Sequence, residues 1–246
     1  GVKGLSFSRG TIKRHEFLIF NQELATLLKA GMPLVQSLDI LRQLERKVLW
    51  LSTYTIHHAN HEVDRGDGLK VGGHQASSSS VVSLMTALYF HALRPGDIVA
   101  TKAHASPVFY AIEFLRGRLT ADDLRSLRTL GGLQAYPSRR KNPEIVDLST
   151  GSMGLGAVSA AFGALAARYV SHRLGGDPMP RRFIAIVGDA ELDEGNVWEA
   201  LLEEAVRELD NLMWVVDFNR QSLDRIVPDA RRGQLREWFR GAGWHV

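Results

Sequence analysis

The stretch 182–221, RFIAIVGDAELDEGNVWEALLEEAVRELDNLMWVVDFNRQ, reads as strand, acidic turn, amphipathic helix, strand and polar turn. Phe183 to Val187 is almost wholly apolar, the pattern of a strand with helices over both faces. It ends at Gly188–Asp189. Asp193 is placed to cap a helix whose apolar positions Val197, Leu201, Leu202, Ala205 and Leu209 recur at helical spacing. A second strand, Leu212 to Val216, ends at Asp217–Phe218–Asn219. Parallel strands joined by such a helix bring Asp189 and Asn219 together at the carboxyl edge of the sheet, where open α/β sheets bind ligands. A carboxylate, an amide oxygen and a backbone carbonyl make a hard oxygen site for Mg2+ or Ca2+, and Mg2+ commonly accompanies phosphates. The alternative is that Asp189 only caps the helix and Asn219 only shapes a turn.

The whole string from GDAELDEG to LDNLMWVVDFNRQSLD resembles the cofactor motif of thiamine diphosphate enzymes, most of all the homodimeric E1 component of pyruvate dehydrogenase and more distantly transketolase. That motif opens Gly-Asp-Gly and closes on an asparagine; here it opens Gly188–Asp189–Ala190 and closes at Asn219. The resemblance implies that Asp189 and Asn219 give side-chain oxygens to Mg2+, that Gln221 gives its main-chain carbonyl, and that the ion holds the diphosphate. Ala190 departs from the motif. It is tolerated if only its backbone N–H faces the ligand, and costly if the position needs a positive φ.

Upstream, DRGDGLKVGGHQASSSS (64–80) is a glycine-rich loop running into a helix, with Gly72–Gly73 free to approach a ligand and serines placed to cap or to donate hydroxyls. A plain loop with capping serines is the alternative. GGHQAS is similar to the opening of the E1 domain, which implies His74 beside the thiazolium and Ser77 near the diphosphate. Imidazole suits proton movement near neutral pH and, as a neutral donor, the steadying of an oxyanion. Asp97 to Thr101 reads as a short strand, followed by KAHASPVFYAIEFL, in which Ser106–Pro107 starts a helix. HASP is again E1-like and implies that His104 contacts the diphosphate or the substrate; a locally bonded loop histidine is the alternative. RLTADDLRSLR is a short helix capped by Thr120, and the loop GGLQAYPSRR by the same likeness lies over the active-site mouth, which makes Tyr136 and Arg139 substrate-side candidates. In DLSTGSMGLGAVSAAFGALAARYV (147–170) a glycine cluster precedes an alanine-rich helix able to pack closely on a sheet, and such a helix start can receive an anion. By the same likeness Ser152, Met153 and Gly154 contact the cofactor, and the helix joins the dimer interface.

The chain has 246 residues, enough for one large α/β domain or two small ones. It has no cysteine, which excludes disulfides, thiolate zinc sites and cysteine nucleophiles and suits a reducing compartment. No apolar run reaches membrane-spanning length and no signal-peptide pattern opens the sequence, so neither a span nor export is expected. The net charge of +3 is small, and the basic pairs at 139–140, 181–182 and 231–232 lack the aromatic platforms of a nucleic-acid surface. The histidines at 57, 58 and 61 lack a completing ligand pattern for zinc.

The ends read differently. Residues 1–43 read as two helices, about Lys13 to Lys29 and from Pro33, and FNQELATLLKAGMPLVQSLDILRQ resembles the opening of the cytoplasmic domain of type II secretion and type IV pilus inner-membrane platform proteins. A helix follows in LERKVLWLSTYTIHHANHEV (44–63), with Leu44, Val48, Leu51 and Thr55 inward. At the other end a helix from Gly233 to Phe239 is followed by GAGWHV, which reads as the start of a strand.

The expectation is therefore a parallel-sheet α/β thiamine diphosphate-binding domain over 44–246, helices on both faces, incomplete at its C-terminus and preceded by a helical hairpin. The family's pyrimidine-binding domain, with its glutamate, has no counterpart in the sequence, so the chain alone is expected to be inactive. The E1 likeness implies thiamine diphosphate and Mg2+, a 2-oxo acid substrate such as pyruvate, a homodimer, a lipoyl-bearing acyltransferase partner and a cytoplasmic location. Transketolase-type ketol transfer, a non-catalytic cofactor-binding fragment and a secretion-platform interaction module are the alternatives.

Overall fold

The computed structural model describes residues 34–64, 66, 68, 70–175, 181–222 and 225–246. The chain divides into two compact units, Gly1–Arg46 and Lys47–Val246, and the second carries the sheet and every candidate site residue. Most of the hairpin expected over residues 1–43, and with it most of the platform likeness, lies outside the described residues. From Leu34 the chain forms one helix, α1 (Leu34–His61), where the sequence reading placed two successive ones. Within the second unit Val48, Thr55, Ile56 and Ala59 are buried along α1.

Three parallel strands form the sheet in the order β1 (Ile98–Ala100), β2 (Phe183–Gly188), β3 (Leu212–Asp217). β2 is central and buried throughout, which its uninterrupted apolar run requires. Its side chains alternate between two cores. Ile184 and Ile186 join Val99 and the residues of α3 (Val82–Ala87) and α4 (Ser106–Leu115), among them Met85, Val108, Phe109 and Ile112. Phe183, Ala185 and Val187 join Ala100 and the residues of α6 (Leu155–Leu174), α7 (Gly195–Leu202) and α9 (Ala230–Gly241), among them Ala157, Ala160, Ala164, Leu201 and Phe239. The sheet therefore has helices on both faces, as expected. Small residues let α6 lie close: a Cβ on Gly163 would stand 2.6 Å from the Phe183 ring. Between these elements α2 (Gln75–Ser79) follows the histidine of GGH, and α5 (Ala121–Arg125) opens with a capping box in which Thr120 and Asp123 bond reciprocally.

Four local expectations are corrected. Asp193 does not cap α7; it ends a 3-10 turn, Asp189–Asp193, and Glu194 takes the cap position. The helix breaks at Glu203, whose extended backbone (ψ 121°) separates α7 from α8 (Glu204–Arg207). That break advances the apolar stripe, so Val206 is buried where Ala205 was expected, and Leu202 is 63% exposed. The last six residues form no strand; Trp244 instead folds back, its ring 4.7 Å from Trp214 and its Nε1 donating to the Leu201 carbonyl at 2.9 Å. Finally, Gly72, expected to leave room for a ligand, leaves room for α1 instead. Its N–H donates to Asn60 Oδ1, and a Cβ there would collide with the Ile56 carbonyl of α1. The polar turn after β3 closes as a small antiparallel ribbon, β4 (Gln221–Ser222) with β5 (Arg225–Ile226), which the sequence reading did not foresee.

Candidate functional site

The register Gly188↔Asp217 aligns the carboxyl tips of β2 and β3, so the residues that follow each strand emerge side by side. There a cavity of about 660 Å3 opens. β2 and its turn contribute Gly188, Asp189, Ala190 and Glu191; the segment after β3 contributes Asn219 and Gln221; the start of α2 contributes His74 and Ser77; the turn after β1 contributes Lys102 and His104; the glycine loop contributes Met153. Its size is that of a small-molecule or cofactor site.

Asp189 and Asn219 meet at this edge. Asp189 Oδ2 accepts the N–H of Arg220 at 3.0 Å, and Oδ1 accepts the N–H of Ala190 at 3.1 Å. Asn219 Oδ1 accepts the Gln221 N–H at 2.9 Å, an Asx-type turn that gathers both residues against Asp189. Arg220, between them, holds a left-handed backbone (φ 65°), tied by its Nε to the Val227 carbonyl and by its carbonyl to the Val227 N–H. Among the described non-glycine residues only Arg128 and Arg220 have positive φ, so the alanine at position 190 carries no strain. Its N–H is engaged by Asp189.

Charge in the site is controlled by burial. Burial pushes the Asp189 carboxyl up, with Asp217 adding to the rise, while the N–H groups of Arg220 and Ala190 and the Lys102 ammonium oppose it. Burial likewise raises Glu191, against N–H bonds to Gly188 and Gly154, both 3.3 Å long. Glu191 thereby ties the glycine loop to the tip of β2. Gly154, at the start of α6, has φ 78°, and a Cβ there would stand 2.5 Å from Asn196 Oδ1. The oxygen set, Asp189 with Asn219 and a nearby main-chain carbonyl, fits a hard divalent cation, and the glycine-lined wall fits the close approach of an anion.

The two predicted histidines come together, ring centroids 5.0 Å apart, with Tyr136 5.7 Å from His104. Burial lowers His104 from its usual 6.5, and His74, Lys102 and Arg128 lower it further. It is expected to titrate below 6.5 in the free protein, followed through its ring protons by NMR. A midpoint at or above that value would mean that water reaches the ring freely. Ser77 and Met153 line the cavity; Ser152 and Gly154 do not, Ser152 being exposed and Gly154 buried beneath the loop. Arg139 is held on the Asp147 carbonyl and the Ser149 hydroxyl, away from the cavity wall.

Sequence reasoning missed Lys102 and Asp217. Lys102 Nζ lies 2.6 Å from Asp217 Oδ2, both side chains buried, and Asp217 Oδ2 also accepts from Ser80 Oγ at 2.7 Å and from Asn219 Nδ2 at 3.2 Å. The available signal was spacing: each stands two residues before a residue already singled out, His104 or Asn219.

Comparison with known proteins agrees with this architecture. The profile of the family described as "Transketolase, thiamine diphosphate binding domain" matches residues 95–246. The pyruvate dehydrogenase E1 component of Escherichia coli K12 is 33% identical over 221 residues, which span 85% of this chain and 24% of that protein. The E1 component of Mycolicibacterium smegmatis is 35% identical over 222 residues, 85% of this chain and 23% of that protein. Among solved structures, transketolase from Leishmania mexicana superposes with a TM-score of 0.70 at 20% identity, covering 83% of this chain and 31% of that one, a likeness of fold. The chain thus spans about a quarter of the length of the curated relatives it matches. None of these matches carries the platform likeness read in its first 43 residues. By the match over residues 95–246, the chain belongs to the family of the thiamine diphosphate-binding domain of transketolase.

Proposed function

We propose that this chain is the diphosphate-binding part of an E1-type enzyme that decarboxylates a 2-oxo acid, pyruvate foremost, and passes the acyl unit to a lipoyl group on an acyltransferase. The observation that carries the reading is the meeting of Asp189 with the Asn219–Gln221 turn in one cavity, on the Arg220 N–H bond. The E1 relatives, at 33–35% identity, favour this chemistry over ketol transfer.

In this reading Asp189 and Asn219 give side-chain oxygens, and Gln221 its carbonyl, to Mg2+. Gly188, Ala190, Ser77 and Met153, which line the cavity, hold the diphosphate side of the cofactor, and Gly154 shapes the loop behind Met153. Thiamine diphosphate, when bound, supplies the carbon nucleophile and the electron sink that decarboxylation requires. His74 and His104 lie on the same wall. With its pKa lowered, His104 is neutral at physiological pH and can donate a hydrogen bond to a substrate oxygen or take up a proton there. The complete enzyme is a homodimer in the cytoplasm; the exposed Phe162, Tyr169 and Val170 along α6 support the homodimer. Among the described residues no helix is long and apolar enough to cross a membrane.

Calorimetric titration of the full chain with thiamine diphosphate, with and without Mg2+, tests the reading. Binding that requires Mg2+ is expected, with no CO2 released from pyruvate by this chain alone. Absence of binding under both conditions would defeat it.

A further inference from the structure

Lys102 crosses the tips of all three strands. Its backbone follows β1, two residues after Ala100, which pairs with Ala185 of β2. Its side chain then passes the tip of β2, where a Cβ on Gly188 would stand 3.1 Å from Lys102 Cε and 3.8 Å from Nζ. It ends 2.6 Å from Asp217 Oδ2 at the end of β3. Neighbouring strands lie about 4.8 Å apart, so the lysine reaching from β1 and the carboxylate reaching from β3 together bridge two strand spacings, over a strand tip that carries no side chain at position 188. The lysine is 3% exposed and Asp217 9%.

A buried ion pair is a weak source of stability, because desolvating two charges offsets their attraction. Its placement on a ligand wall asks for another use. An ammonium has three donors. Asp217 Oδ2 takes one and the Ser77 carbonyl, at 3.3 Å, takes another. Lys102 is also the only lysine or arginine among the described residues lining the cavity, facing Asp189, Glu191, Asp193 and Glu194. An anion entering there meets one fixed cation of the protein.

Resting on the cofactor reading above, we infer that Lys102 is a phosphate-binding residue: its third N–H bonds an oxygen of the diphosphate. Asp217 is a positioning residue. It holds the ammonium against the tip of β2 and, by accepting from Asn219 Nδ2, fixes which way that amide presents its oxygen.

The test titrates the full chain with thiamine diphosphate and, separately, with inorganic pyrophosphate, both at fixed Mg2+. The double variant Lys102→Gln/Asp217→Asn removes both charges and leaves none buried alone. It is expected to bind both ligands roughly 10- to 100-fold more weakly, the range for losing a charge-assisted hydrogen bond. Asp217→Asn alone keeps the ammonium but loosens its hold and that of the Asn219 amide, so it is expected to bind pyrophosphate more weakly than the parent chain and more tightly than the double variant. A double variant within threefold of the parent, or an Asp217→Asn variant as weak as the double variant, overturns the assignment of Lys102. A parent chain that binds neither ligand overturns the cofactor reading and this inference with it, whereas a parent that binds both beside an unaffected double variant overturns only the inference.

Discussion

Asp189→Ala is expected to weaken Mg2+-dependent binding of thiamine diphosphate by at least about 100-fold, roughly 2.8 kcal/mol. The carboxylate is the one formal charge in the proposed oxygen set, and Mg2+ relies on carboxylates together with phosphate oxygens. The substitution also frees the N–H groups of Ala190 and Arg220, which Asp189 now receives at 3.1 and 3.0 Å. Asp189→Asn separates the two effects. An amide oxygen can still accept an N–H bond, so the turn after β3 keeps part of its anchorage, while the charge is gone. Affinity is therefore expected to fall in both variants and the melting temperature mainly in the alanine one. Titrating thiamine diphosphate at fixed Mg2+, then Mg2+ at fixed thiamine diphosphate, checks both. An alanine variant that binds within threefold of the parent would remove Asp189 from the metal site.

Gly154→Ala is expected to lower the stability of the fold by about 2–5 kcal/mol. Two costs add. An alanine held at φ 78° carries the left-handed penalty of about 1–2 kcal/mol. Its Cβ would also stand 2.5 Å from Asn196 Oδ1 and 2.8 Å from Val197 Cγ2, and such overpacking costs about 1–3 kcal/mol. Asn196 and Val197 belong to α7, which packs on β2 and has little freedom to retreat. For a chain of this size the drop corresponds to a melting shift of roughly 4–20 °C. A scanning melt is the measurement. A variant melting within about 2 °C of the parent would mean that the loop repacks without resistance and that the cage around Gly154 is not rigid.

The sheet was legible because its strands are the simplest text in the chain. Phe183 to Val187 offers no polar residue to either face, and a run of that kind has few uses other than a central parallel strand. The pairing of Asp189 with Asn219 followed from topology, since both stand just after parallel strands. What the sequence concealed was local backbone geometry. The stripe Val197, Leu201, Leu202, Ala205, Leu209 assumes one continuous helix, and a single extended residue at Glu203 breaks the phase. Gly72 and Gly154 look alike in a string, yet one makes room for a helix carbonyl and the other adopts a left-handed turn. Lys102 was hidden for another reason. A lysine in a polar segment is usually solvated, and its burial here goes with a carboxylate 115 positions later that nothing local announces.

Arg220 gives the turn after β3 its handedness. It supplies no oxygen to the proposed ion, yet its mirror-image backbone is what lets Asn219 and Gln221 face the same carboxylate, and its guanidinium is moored to the ribbon at Val227 and to Asp229. The turn is thus anchored by a residue outside the proposed donor set, so its anchorage and the proposed donor chemistry can be altered one without the other.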